Sequence, residues 1–199
     1  MDERELREEE ILRQAAKVFK EKGYHGASVQ DIADAVGMQK GSLYYHIESK
    51  EDLLFRVMDR GMGTVLAPLE EVARLNESPV AKLRLAVENH VRLLTQNLDA
   101  LTVVLQDHKA VLSARRQPYL ARRKRFEELL RQIIAEGVAS GAFRPVDVRL
   151  ATLAILGMCN WLVIWYQPGR HMSPDEIAAG FADLALHSLL AAEATATPP

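Results

Sequence analysis

The sequence contains only one cysteine, Cys159, among its 199 residues. A single cysteine excludes an intrachain disulfide, and it has no cluster of cysteines and histidines around it at metal-site spacing. We therefore expect no structural metal and no cofactor. The same shortage favours a reducing, cytoplasmic setting.

A surplus of one charge and a long apolar run are also missing. The net charge of −2 gives no sign of a nucleic-acid partner. The first ten residues, "MDERELREEE", are acidic where a secretory signal is basic and then apolar. The longest apolar run, "LAILGMCNWLVIW" at 153–165, is interrupted by Asn160 and falls short of the ~20 residues of a membrane span. We predict a buried helix there and no membrane partner.

Apolar residues do recur at helical spacing along nearly the whole chain. No stretch alternates convincingly with period two, so the sequence predicts an all-α fold. Ser28 and Asp31 form a capping box for a short second helix, which Gly37 ends. A third short helix is predicted over 40–47. Two short helices joined by a glycine-containing turn have the pattern of a helix-turn-helix.

The joints along the chain predict two domains. We place a three-helix DNA-binding domain at 1–54 and a larger helical domain for ligand binding and dimerisation at 55–199, connected by a helix over 49–75. Ser49 with Asp52 and Ser173 with Glu176 are predicted caps. Further helices are predicted near 80–96, 98–114, 118–140, 147–166 and 174–191.

The third helix has one apolar side and one polar, aromatic side. On a helical wheel Leu43 and Ile47 face inward, which turns Gly41, Ser42 and Tyr45 outward. Such a surface suits a DNA groove, because glycine permits close backbone approach while serine and tyrosine can contact base edges.

The flanks of that surface can bind phosphates. Lys40, Tyr44 and His46 lie beside it, and Lys50 opens the next helix. Ser28 and Gln30 open the second helix in the same way. The alternative is that Tyr44 and Tyr45 pack against a neighbouring helix while His46 is merely solvated.

Residues 11–54 closely resemble the DNA-binding domain of the TetR family of transcriptional repressors. The matching motifs are "FKEKGY", "DIADAVG", "KGSLYYH" and "SKEDLL". The resemblance implies DNA contacts from Lys40, Gly41, Ser42, Tyr44, Tyr45, His46 and Lys50. Gln39 stands where the family often has serine or threonine, and Ile47 replaces a common phenylalanine. An amide at 39 can pair with adenine, so Gln39 is an additional candidate contact.

A recognition helix of two turns reads only a few base pairs, so specificity requires two copies about 34–36 Å apart. We therefore expect a homodimer. The apolar helices predicted at 147–166 and 174–191 are the natural interface, and the resemblance implies the same pairing. The alternative is that both helices belong to the core of a monomer.

The second domain shows no catalytic arrangement of residues, so an enzyme is not expected. The resemblance implies a pocket in this domain, and a binding site of this kind should be mostly apolar with a few polar groups. Its candidates are Val87, His90, Leu94, Val104, Asn160 and Trp161. The most basic stretch, 109–131, is either a solvated face or a rim at which Arg115, Arg116 and Arg122 hold an anionic ligand.

The C-terminal stretch "NWLVIWYQPGRHMSPDEIAAGFADLAL" resembles, more loosely, the TetR branch that controls fatty-acid or steroid breakdown in response to acyl-coenzyme A. The sequence therefore predicts a dimeric repressor that leaves a palindromic operator when an apolar or amphipathic effector binds. The alternative within the family is a repressor of an efflux gene that senses a drug-like molecule. A helical enzyme and a ligand carrier without DNA binding are the remaining rivals.

Overall fold

The computed structural model describes residues 3–106, 116–170 and 172–191. Within these residues the fold is all-α as predicted, with one isolated β-bridge between Phe143 and Leu190. The helices are α1 (Glu3–Gly26), α2 (Val29–Val36), α3 (Lys40–Leu43), α4 (Lys50–Arg74), α5 (Pro79–Gln96), α6 (Leu98–Gln106), α7 (Arg116–Ala139), α8 (Val148–Asn160), α9 (Leu162–Trp165) and α10 (Pro174–Leu189).

The chain forms two compact units. The first comprises Met1–Thr64 with Asn97–Arg123, and the second comprises Val65–Gln96 with Lys124–Pro199. The division falls within α4 and within α7, so both helices contribute residues to each unit. The positions of helix ends do not reveal this division into two units, because α4 and α7 each continue through it without a break.

In the first unit α1 packs on α2 and α6. The core includes Phe19, Ile32 and Leu43, all fully buried. Helices α4 and α6 approach closely at Gly61, where an added Cβ would lie 2.9 Å from Cγ2 of Val104. A larger residue at this position would push the two helices apart.

In the second unit the main contact joins α5 to α10. Two ion pairs line this contact: Arg84 with Asp183 at 2.7 Å and Arg92 with Asp175 at 2.6 Å. The Ser173–Glu176 capping box and Pro174 start α10 as predicted.

Several element ends differ from the predictions. Helix α3 is only Lys40–Leu43 and continues as a turn, and the predicted helix 98–114 is described only as α6, to Gln106. The amide of Asp52 donates to Ser49 Oγ at 3.0 Å, which is the serine half of the predicted Ser49–Asp52 box. The Asp52 carboxylate also accepts from the amide of Glu48 at 3.3 Å.

The prediction of a buried helix over 153–165 is wrong for the single chain, and the helix predicted over 147–166 is interrupted. The helix breaks at Trp161 into α8 and α9, and only one side is buried: Leu150 is 66% and Trp161 is 61% exposed. The segment Val148–Trp165, with mean hydropathy 1.6, is long and apolar enough to cross a membrane. This is weak evidence for a span, because helices of soluble proteins pass the same test. An apolar pattern indicates that side chains are covered from water. It does not indicate whether the same chain or a partner covers them.

Candidate DNA interface and effector site

Helix α2 is capped at both ends by residues next to it in the sequence. Ser28 Oγ accepts a hydrogen bond from the amide of Asp31, whose carboxylate accepts from the Ser28 amide at 2.8 Å, so the predicted capping box is confirmed. Lys22 Nζ lies 2.6 Å from Asp31, and this contact, followed by the Ser28 hydrogen bonds, holds the pKa of Asp31 well below its usual range. Gly37 ends the helix with φ +71°.

We call residues 40–46 the recognition segment, which is α3 with the turn that follows it. Leu43 and, just beyond the segment, Ile47 are buried, as the helical wheel predicts. Tyr45 is 89% exposed and Tyr44 is 48% exposed. Gly41 has nothing within 4 Å of the position of an added Cβ, so its side of the segment is open to a groove.

Sequence reasoning missed Arg56, which holds the end of the recognition segment. Its Nη1 donates to the carbonyl oxygen of His46 at 2.8 Å, and its Nη2 donates to the carboxylate of Glu8. Asp52 Oδ2 lies 3.9 Å from the same guanidinium. Burial lowers the pKa of Arg56, but the group stays protonated at neutral pH. The i,i+4 spacing of Asp52 and Arg56 was the one available signal.

Lys50 makes contacts within the protein. Its Nζ donates to the carbonyl oxygens of Tyr24 and Ala27 at 2.9 and 2.8 Å, and it lies 4.4 Å from the centre of the Tyr24 ring. Two of the three ammonium protons therefore bind the end of α1 and the loop that follows it. The predicted phosphate contact stays a prediction and depends on the third proton.

The remaining predicted DNA contacts are mostly accessible. Gln39 makes no capping hydrogen bond with its side chain, and the Gln30 amide donates to Asp34 at 2.7 Å. The exposed members are Ser28, Gln30, Gln39, Lys40, Gly41, Tyr44 and Tyr45, and the half-buried ones are Ser42, His46 and Lys50. The first unit thus presents a mostly accessible polar and aromatic surface with an apolar support beneath it.

In the second unit, the polar group of interest is His90 on α5. It is buried, and its Nε2 lies 3.1 Å from Oδ1 of Asn160, so two of the predicted pocket residues meet. The centre of its ring is 5.1 Å from that of Phe126. Burial lowers the pKa of His90, opposed by the weaker effect of the Asn160 hydrogen bond.

His90 lines a small apolar cavity of ≈ 10 Å³. This volume is about enough for one water molecule, so an effector can enter only if side chains move. The lining residues are Leu69, Ala86, Val87, His90, Phe126, Leu130, Ile155, Leu156 and Cys159.

The other predicted pocket residues lie elsewhere. Leu94 is buried but does not line this cavity, and Trp161 is exposed because it lies at the break between α8 and α9. Val104 belongs to the first unit, where it contacts Gly61.

The arginine cluster is only partly described. Arg122 also belongs to the first unit, and its Nη1 lies 3.2 Å from Asp59 Oδ2 and donates to the Asp59 carbonyl at 3.3 Å. Arg115 lies outside the described residues. Arg116 begins α7, and its side chain is likewise outside them.

Family models match both parts of the chain. The model described as "Bacterial regulatory proteins, tetR family" matches residues 11–57. The model described as "Tetracyclin repressor-like, C-terminal domain" matches residues 76–189, more than half of the chain. The chain belongs to the TetR family. It is a DNA-binding transcriptional repressor of the TetR type, and the family resemblance read from its motifs is confirmed.

Relatives of known name agree with this family assignment. The repressor KstR2 of Rhodococcus jostii (strain RHA1) is 29% identical over 92% of this chain and 91% of its own length. The fatty acid metabolism regulator protein of Bacillus subtilis (strain 168) is 30% identical over 74% of this chain and 77% of its own. These TetR proteins are regulators of transcription rather than enzymes.

Among solved structures, AibR in complex with isovaleryl coenzyme A and operator DNA is similar to this TetR protein. The two share 31% sequence identity with a TM-score of 0.82, over 89% of this chain and 97% of that one. The similarity therefore extends through the second unit as well as through the recognition segment.

Proposed function

We propose that this TetR protein is a homodimer that occupies a palindromic operator. An apolar or amphipathic effector releases it from the operator, and among such effectors we favour an acyl-coenzyme A. The observation that carries the effector class is the similarity to AibR, which was solved with isovaleryl coenzyme A and operator DNA. Similarity to a fatty acid metabolism regulator supports the same class. Because its proposed target is operator DNA, we propose that the protein acts in the cytoplasm.

The recognition segment supports the DNA-reading half of the proposal. Tyr45 and Gly41 face outward while Leu43 is buried beneath them, so a groove can receive the segment without any repacking of the core. We assign DNA reading to residues 1–54 and effector binding and dimerisation to 55–199.

Exposed apolar side chains support the dimer. Exposing many large apolar side chains to water is unfavourable unless a partner covers them. A surface of this kind therefore marks an interaction site. Most of the large exposed hydrophobic residues of the described chain belong to the segment from α8 to α10. They include Leu150, Leu153, Trp161, Ile164, Trp165 and Leu184. A second copy of the chain that packs on α8 and α10 would cover them and supply the second recognition segment that a palindrome needs.

Helix α4 offers a route from effector to DNA. It carries Arg56, which binds the backbone of the recognition segment, and Leu69, which lines the His90 cavity. An effector that enlarges the cavity would move α4 and change the separation of the two recognition segments. A coupling free energy of ~1–3 kcal/mol is typical of such linkage and suffices for release.

A coenzyme A head would need cationic partners. We propose Arg115, Arg116 and Arg122 for this role, since arginine binds phosphate with two parallel hydrogen bonds. Arg122 would exchange its contact with Asp59 for the ligand. The alternative is a repressor of an efflux gene that senses an uncharged drug-like molecule. It is favoured by one observation, the almost entirely apolar lining of the cavity.

The test uses the full chain. Duplexes selected from a random DNA library would define the operator, and fluorescence anisotropy would then measure its release by octanoyl-coenzyme A, with coenzyme A alone as control. We expect at least a tenfold loss of operator affinity with octanoyl-coenzyme A and none with the control. Failure to select any operator would contradict DNA binding. An operator that neither octanoyl-coenzyme A nor 8-hydroxyoctanoyl-coenzyme A releases would contradict the effector class.

A further inference from the structure

One ring nitrogen of His90 finds no partner within the part of the chain that the structure describes. Its Nδ1 is buried and has no hydrogen-bond partner among the described residues, while Nε2 faces Oδ1 of Asn160 at 3.1 Å. A buried polar atom without a hydrogen bond destabilises the fold. Such an atom calls for a specific explanation, and binding of a ligand is one.

The contact with Asn160 determines what the free nitrogen can do. An amide oxygen only accepts hydrogen bonds, so Nε2 must carry the proton that joins the two groups. A neutral imidazole has a single N–H, which leaves Nδ1 as a bare acceptor. Burial favours this neutral ring, because it lowers the pKa of His90. The unused atom therefore needs a hydrogen-bond donor.

The lining of the cavity limits the kind of donor. Apart from His90 it consists of apolar groups and Cys159, whose pKa burial raises to about 12, so its thiol is uncharged. No cation among the lining residues could balance an anion. An amide would bring a carbonyl oxygen that finds no strong donor in this lining. A hydroxyl is about the size of a water molecule and so matches a cavity of ≈ 10 Å³ next to the ring.

We infer that the part of the effector that enters this cavity is an apolar chain or ring that carries an alcohol hydroxyl, which donates its hydrogen bond to Nδ1 of His90. This inference rests on the proposed function, in which the second unit binds an apolar or amphipathic effector. It narrows that class, because an unsubstituted acyl chain carries no donor. His90 is then a specificity residue that selects hydroxylated effectors over plain hydrocarbon ones.

The test compares two isomers, octan-1-ol and 1-methoxyheptane, which have the same atoms but differ in the O–H donor. Calorimetric titration of the full chain should give about tenfold tighter binding of the alcohol, the effect of one buried hydrogen bond. In His90→Phe, which keeps a flat ring and removes both nitrogens, the two affinities should become equal. Equal affinities in the unmodified chain, an undiminished preference in the variant, or no binding of either isomer to the unmodified chain would each overturn the inference.

A second measurement needs no variant, in case His90→Phe does not fold. Long-range proton–nitrogen NMR distinguishes protonated from bare ring nitrogens, and His90 can be assigned through its contact with the Phe126 ring. We expect Nδ1 to be bare and its resonance to shift on addition of octan-1-ol, with Nε2 protonated throughout. A protonated Nδ1, or one that the alcohol leaves unchanged, would overturn the inference.

The two proposals fail separately. Release of the operator by octanoyl-coenzyme A, together with equal binding of the two isomers, would remove the hydroxyl requirement and leave the proposed function intact. A clear preference for the alcohol, with no release of the operator by either octanoyl-coenzyme A or 8-hydroxyoctanoyl-coenzyme A, would do the opposite. It would show a hydroxyl-selective site whose effector is not an acyl-coenzyme A.

Discussion

Arg56 Nη1 donates a hydrogen bond to the main-chain carbonyl oxygen of His46, across 2.8 Å and ten residues of sequence. The contact joins helix α4 to the end of the recognition segment. Because the guanidinium also binds the carboxylate of Glu8, it connects three parts of the first unit. The recognition segment, including the turn that carries Tyr45, is therefore supported by residues outside it.

We expect Arg56→Ala to lower the free energy of unfolding by about 1–3 kcal/mol, the usual effect of losing a hydrogen bond to a half-buried charged group. It should also weaken operator binding, because the recognition segment loses its support. The matched control is Arg60→Ala, one turn further along α4. Arg60 is more exposed than Arg56, so its pair with Glu9 contributes only ~0–1 kcal/mol. Hydrogen exchange at residues 44–47 should rise in the first variant only. Equal exchange in both would contradict a positioning role.

Tyr45→Ala should separate function from stability. The side chain is 89% exposed, so we expect a change below about 0.5 kcal/mol in the free energy of unfolding. Operator affinity should fall by roughly tenfold, in line with about 1–3 kcal/mol for one base contact. Tyr45→Phe then shows whether the hydroxyl or the ring makes the contact. Leu43→Ala is the opposite case. Leu43 is buried, so its truncation should lower the free energy of unfolding by about 2–5 kcal/mol. Unaltered operator affinity in Tyr45→Ala would remove this surface from DNA recognition.

Lys50 has a contact within the fold and a predicted one with phosphate, and salt dependence distinguishes them. Lys50→Ala removes hydrogen bonds to two carbonyl oxygens and should lower the free energy of unfolding by about 1–3 kcal/mol. If Lys50 also binds phosphate, the slope of log affinity against log salt should decrease in magnitude by about 0.9. Lys40→Ala, which removes an exposed side chain, should change the slope with little effect on stability. An unchanged slope in Lys50→Ala would assign this lysine to the loop alone.

These residues also show which parts of the first unit can be predicted from sequence. The outward direction of Tyr45 was predictable, since it follows from local features: a capping box, a glycine turn and two apolar positions four residues apart. The role of Arg56 was not, because its partner is a backbone carbonyl and a carbonyl leaves no mark in the sequence. Likewise, nothing in the sequence indicated that Lys50 binds the backbone carbonyls of residues 24 and 27, so only a phosphate contact was predicted for it.

In the second unit the same limit applies to surfaces. Apolar periodicity predicted helices in the regions of α8 and α10, yet it could not say which of their residues the chain itself covers. The meeting of His90 with Asn160 depends on tertiary packing between residues seventy positions apart. Both were candidates because each is polar within an apolar stretch, but nothing in the spacing paired them.

The exposed apolar residues of α8 to α10 predict the oligomeric state. Leu184 is 61% exposed on α10, so Leu184→Arg should fold but bury a charge in the proposed interface. We expect monomers in sedimentation velocity and a loss of operator affinity. Leu6→Arg is the matched control, since Leu6 is 50% exposed but lies on α1 in the first unit, and this variant should remain a dimer. If Leu184→Arg sediments as a dimer, α10 is not the interface.

His90 should make the second unit sensitive to acid. Burial lowers its pKa below the ordinary value of 6.5, so at pH values under 6.5 the unfolded chain takes up a proton that the folded chain does not. Stability is therefore unaffected above this value and falls as the pH drops from about 6.5 toward the lowered pKa. The slope approaches about 1.4 kcal/mol per pH unit at most, which corresponds to one proton.

Urea unfolding at pH 7.5 and 5.5, at a fixed protein concentration, measures this effect. The loss of stability between the two pH values should be smaller in His90→Phe than in the unmodified chain, because the variant has no proton to take up there on unfolding. His187→Asn is the control, since His187 is exposed on α10 and its replacement should leave the acid loss almost unchanged. An equal loss in His90→Phe and the unmodified chain would mean that His90 is not held neutral by burial, and the bare Nδ1 on which the hydroxyl inference depends would lose its support.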